Sequence, residues 1–64
     1  MRKTPINEET APIVKLALRY KYKQHIIAGY FGDNQGRVSE IKNGRTHISA
    51  PIAEVLPTDF PTIG

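Results

Sequence analysis

The sequence predicts a small all-α domain of three helices, and three observations predict it. Apolar residues recur at spacings of three and four in three separate stretches, centred on Val14, Ile27 and Val38. Gly32 falls directly after the second stretch, as a helix-ending residue able to adopt positive φ, and Gly44 ends the third. Pro51, Pro57 and Pro61 leave room for at most one short element in the last quarter of the chain.

The first helix is expected over roughly residues 8–20. Asn7 offers an N-cap, with Glu8 and Glu9 in the first turn where acids suit the helix dipole. Ala11, Val14 and Leu18 form its stripe, widened by Ile13 and Ala17. Pro12 is awkward so far inside, and Thr10 as the cap would return it to the tolerated first turn. The second helix is expected over about 23–31, from Ile27, Ala28 and Phe31 with Ile26 and Tyr30 beside them. The third must start almost at once, capped by Asp33 or Asn34. Val38 and Ile41 are its only large apolar residues, and Gly44 ends it.

In "THISAPIAEVLPTDFPTIG" one short helix at about 51–56, or one short extended segment, fits between prolines. Ile48, Ile52, Val55, Leu56 and Phe60 are too apolar for an idle tail, so they are expected to cover the core or a second copy of the chain. The organisation expected is a flexible basic arm over 1–6, a folded unit over 7–47, and a C-terminal extension over 48–64 for core completion or dimerisation.

A chain of 64 residues holds one domain, and a domain this small is marginal alone. It has no Cys, so neither a disulfide nor a thiolate metal site staples it. Met1 leads into Arg2, Lys3, Thr4 and Pro5 without an apolar run, which argues against a signal peptide or a membrane span and fits the cytoplasm. The net charge is +3. Residues 1–47 carry nine basic and four acidic residues, +5; residues 48–64 carry Glu54 and Asp59 and no Lys or Arg, −2. A basic body with a mildly acidic tail is compatible with a polyanion-binding face.

Enzymatic readings find little to stand on. His25 and His47 lie in no metal-ligand spacing, Ser39 and Ser49 lack a base and an orienting acid, and no Gly-rich phosphate loop is present. No cofactor, metal or small-molecule substrate is implied. Tyr20, Tyr22 and Tyr30 resemble a stacking set for single strands, but packing of the first helix on the second is the expected use.

Two helices joined by about three residues cross sharply, as in a helix-turn-helix. With Gln24 as the first position, Ala28 is fifth, Gly32 ninth, Val38 fifteenth and Ile41 eighteenth. Those landmarks resemble the helix-turn-helix of phage repressors and Cro-like proteins. "NQGRVSEIKNGR" is also similar to helix-turn-helix segments of homing-type nucleases. The resemblance covers roughly residues 6–47, and departs from the pattern at Asp33 and Gly36. It implies a core of Ile27, Ala28, Phe31, Gly32, Val38 and Ile41, and a second helix whose start faces the DNA major groove.

On that resemblance Asn34, Gln35, Arg37 and Glu40 are the candidate base contacts. Gln35 suits adenine N6/N7, Arg37 guanine O6/N7, and Glu40 cytosine N4. Lys21, Lys23, Gln24, Lys42, Asn43, Arg45 and Thr46 are the candidate phosphate contacts, and Arg2 and Lys3 a candidate minor-groove arm. The function expected is sequence-specific binding of double-stranded DNA by a transcriptional regulator, a repressor acting as a homodimer, of phage or mobile-element type. The alternatives are a protein-interaction module, or a DNA-binding accessory subunit of a nuclease, recombinase or packaging complex.

Overall fold

Pro12 decides where the first helix begins. Without an N–H it cannot donate one turn back, so a helix entering from residue 8 would lose a bond there. In the computed structural model, which describes residues 5–62, α1 runs Ala11–Arg19 with Pro12 in its first turn and Thr10 just before it. The expected start at residue 8, and Asn7 as cap of this helix, are corrected. Asn7 closes a separate turn instead. Its Oδ1 accepts the N–H of Glu9 at 2.8 Å and of Thr10 at 3.1 Å, while Thr10 Oγ1 accepts the Asn7 N–H at 2.8 Å. This reciprocal pairing is that of a capping box, one turn ahead of the helix.

α2 spans Gln24–Phe31 and α3 spans Gln35–Lys42, within a residue or two of expectation. Among the described residues there is no strand, and the fold is an all-α three-helix domain. No helix among them is long and apolar enough to cross a membrane.

All three helices stop the same way, on a left-handed residue whose N–H and that of its successor turn back onto the last turn. Gly32 (φ 67°) and Gly44 (φ 71°) take this role after α2 and α3. After α1 it falls to Lys21, at φ 71°. The Lys21 N–H donates to Leu18 O at 3.0 Å and the Tyr22 N–H to Ala17 O at 3.1 Å. A side chain in this conformation costs about 1–2 kcal/mol. Lys21→Gly is therefore expected to stabilise the fold by about 1 kcal/mol, net of the freedom glycine adds to the unfolded chain. A thermal melt would show this as a rise of roughly 4–8 °C in a domain of this size.

Val14, Ile27 and Val38 are sealed from solvent, together with Ala11, Ala17, Ala28, Phe31 and Ile41. Three alanines in that set let the helices approach closely. On α1 the buried stripe is Ala11, Val14 and Ala17, while Ile13 and Leu18 are only half-buried. Leu16, outside the expected stripe, is buried too. It shares a helical face with Pro12 and neighbours Lys15, and that face holds the tail.

The tail turns back at His47, another positive-φ residue (52°), and runs along α1. The Ala53 N–H donates to Pro12 O at 3.1 Å, and Lys15 Nζ donates to Ile48 O at 3.2 Å and Ala50 O at 2.7 Å. No helix forms at 51–56, because the chain is held in extended and bent conformations by those contacts and by its prolines. Phe60 then enters the core. Its ring meets Tyr22 edge-on at 5.1 Å between centroids and lies tilted against Tyr30 at 4.5 Å. Tyr22 OH donates to Pro61 O and Tyr30 OH to Asp59 Oδ1, both at 2.7 Å. Tyr22 and Tyr30 thus clasp the tail rather than join α1 to α2, and Tyr20 is half exposed. Ile6 is also core, so it does not belong to a free arm; residues 1–4 of the expected arm lie outside the described residues.

Candidate nucleic-acid interface

The turn between α2 and α3 is three residues, Gly32 to Asn34, and each has a distinct task. Gly32 supplies the left-handed conformation. Asn34 caps α3, its Oδ1 accepting the Gly36 N–H at 2.7 Å. That hydrogen bond explains Gly36. A Cβ at this position would lie 3.1 Å from Asn34 Oδ1 and press on the cap. Asn34's carbonyl oxygen is thereby engaged in building the helix start, a role the expected base contact does not share.

Asp33 does more than bridge its neighbours. Oδ1 accepts the Asn34 N–H at 2.6 Å and lies 3.6 Å from Arg37 Nε. Oδ2 accepts the Ile6 N–H at 3.0 Å, across 27 residues of sequence. The Asn34 N–H, then the Ile6 N–H, hold its carboxyl below the usual carboxylate range; burial opposes them, and Arg37 adds to the lowering. A group whose folded pKa is depressed adds stability above its unfolded value, near 3.8, and loses it as pH falls through the lower folded value. Acid titration of the melting temperature below pH 4 is expected to show that loss in the native chain. Asp33→Asn should lack this component, so the two curves should converge as pH falls below 3.8.

Val38 and Ile41 fix which side of α3 faces outward. At about 100° per residue, the side opposite them carries Gly36, Ser39, Glu40 and Asn43. Asn43 Nδ2 donates to Ser39 Oγ at 3.4 Å along that side. Ser39 was not among the expected contacts. Half-buried beside Val38, it borders the outward side and is placed there by counting along the helix.

Gln35 and Arg37 flank the outward side from opposite edges. On the Gln35 edge, an open cleft of about 490 Å³ is lined by Leu18, Lys21, Tyr22, Lys23, Gln24, Gln35 and Lys42. Three lysines and two glutamines thus converge from the end of α1, the start of α2 and both ends of α3. On the Arg37 edge, Asp33, Asn34, Gly36, Arg37 and Glu40 line a shallower depression. The arrangement offers ammonium and amide donors along one wall, a guanidinium at the other, and Gly36, Ser39, Asn43 and the carboxylate of Glu40 between.

The remaining expected contacts are less gathered. Asn43 caps the end of α3 and Arg45 donates its N–H to Glu40 O at 2.8 Å. Arg45 is exposed and Thr46 half-buried, and neither lines the lysine cleft. Arg2 and Lys3 lie outside the described residues. His47 Nδ1 is 3.3 Å from Glu8 Oε2, and His25 is exposed on α2. In the tail, Phe60 is buried and Leu56 half-buried in the chain's own core, which leaves Ile48, Ile52 and Val55 as the exposed members of the expected dimer set.

No protein-family model, curated protein or solved structure matches this chain.

Proposed function

We propose that the chain is a helix-turn-helix protein that binds duplex DNA sequence-specifically and regulates transcription, as a repressor that acts by occupying its site. The observation that carries the reading is the convergence of Lys21, Lys23, Lys42, Gln24 and Gln35 on one cleft beside the outward side of α3. Ammonium groups along that wall suit a phosphate backbone, which fixes register. Gln35 and Arg37 then stand at the two edges of a helix face that carries no large apolar side chain, as base reading in a major groove requires.

The experiment separates the two kinds of contact. Arg37→Ala is expected to weaken binding to the preferred site by about 1–3 kcal/mol and to relax preference at one base pair. Lys42→Ala is expected to weaken all duplexes alike and lower the salt slope by about one unit. If Arg37→Ala weakens preferred and random duplexes equally, Arg37 does not read a base.

The reading includes a two-fold homodimer. Specific recognition covers about 1,000–2,500 Å² of protein surface, while this chain exposes 4506 Å² in all. One copy would have to commit more than a fifth of its whole surface. Ile48 and Val55 are 72% and 76% exposed and lie in a segment without Lys or Arg, which suits a second copy better than DNA. Sedimentation of the protein on its DNA should give two copies per site.

A further inference from the structure

The resemblance marks Asp33 as a departure, since a carboxylate beside a phosphate surface weakens attraction to it. The geometry gives that carboxylate a purpose. Asp33 is fixed to the core by the Ile6 N–H and to the turn by the Asn34 N–H, and its side chain is only 16% exposed. Arg37, one helical turn on, is 61% exposed, and it meets Asp33 through Nε at 3.6 Å. A guanidinium held on its Nε side still presents its two terminal nitrogens outward. Those nitrogens can reach O6 and N7 of a guanine together.

We propose that Asp33 is a positioning residue that sets sequence selectivity, by holding Arg37 through Nε and withholding it from the DNA backbone. This rests on the DNA-binding reading above. A free Arg37 on an exposed helix edge would take the nearest phosphate on any sequence, adding affinity without information. Asp33 competes with phosphate for the same guanidinium and repels phosphate directly. On the correct site no such choice arises, because the guanine edge and Asp33 engage different nitrogens of Arg37. The carboxylate therefore lowers random binding more than specific binding.

The test is the ratio of affinities for the preferred duplex and a random duplex, measured with the full chain. Asp33→Asn keeps an amide oxygen for one of the two N–H donors and removes the charge. Random binding is expected to rise several-fold and specific binding little, so that the ratio falls several-fold. In an Arg37→Ala background the same substitution should leave the ratio unchanged, as a double-mutant cycle requires if the two act together. Arg37→Lys leaves the Ile6 link untouched and keeps the charge, but loses the planar fork. It should lower the ratio because Arg37 itself reads the base; Asp33→Ser, which keeps a side-chain oxygen in the turn without the charge, repeats the Asp33 comparison if Asp33→Asn folds poorly. A ratio unaltered in Asp33→Asn, with wild-type preference intact, overturns this inference alone; a ratio unaltered in Arg37→Lys overturns Arg37 as the base reader, and this inference with it. A wild-type chain that prefers no duplex overturns the DNA reading, and this inference with it.

Discussion

Replacing Lys21, Lys23 and Lys42 together by Gln is expected to weaken duplex binding at 0.1 M salt by roughly 10²–10³-fold. Each phosphate contact contributes about 0.9 to the slope of log affinity against log salt, so the slope should fall by about 2.7. Lys21 and Lys23, between α1 and α2, and Lys42, at the end of α3, line one cleft, so their loss removes a single wall of charge. Melting should change little, because none of the three is buried. Titrations of labelled duplex at several salt concentrations would measure both quantities. An unaltered slope would mean that the cleft does not hold a phosphate backbone. Lys21 adds a particular twist. It holds a left-handed conformation in which glycine would relieve backbone strain. Lys21→Gly should thus raise stability while it lowers affinity.

The second large effect concerns the core. Ala28→Leu is expected to destabilise the fold by about 1–3 kcal/mol through overpacking. Ala28 is 4% exposed and belongs to the cluster formed by Val14, Ile27, Phe31, Val38 and Ile41, where the added carbons have no free volume. Small domains are marginally stable, so this can leave a large unfolded fraction at room temperature. Circular dichroism on heating would show the loss. An unchanged midpoint would mean that the site of close helix approach lies elsewhere, and the alignment of Ala28 with the fifth landmark position would fall.

The second and third helices were legible because their information is local. Ile27, Ala28 and Phe31 repeat at helical spacing, Gly32 can take a conformation few residues take, and Asn34 sits where a cap belongs. The start of α1 was harder to read because Asn7 is a sound cap, but for a separate turn that Thr10 closes from behind. The end of α1 carried no glycine signal, since the fold places a lysine in the left-handed conformation. The tail was legible as apolar but not in its path. Its anchors are the reach of Lys15 to two carbonyls and the insertion of Phe60 between Tyr22 and Tyr30, and neither has a period.

The candidate site divides in the same way. Gln35 and Arg37 were evident from their place at the entrance of α3. That they stand on opposite edges of it follows from which side Val38 and Ile41 bury, and counting residues from those two positions would have shown it and brought Ser39 forward. Asp33 could not be read from its neighbours, because its decisive partner, the Ile6 N–H, lies 27 residues earlier.

Selection of bound duplexes from a random pool by the full chain decides whether it reads sequence. One enriched motif is expected, repeated in inverted orientation with half-site centres about 10–10.5 base pairs apart or a multiple of that. Its enrichment should weaken as salt rises. A single unrepeated motif bound by one copy would contradict the dimer and leave base reading in place. A pool recovered with no enriched motif would contradict sequence-specific DNA binding itself.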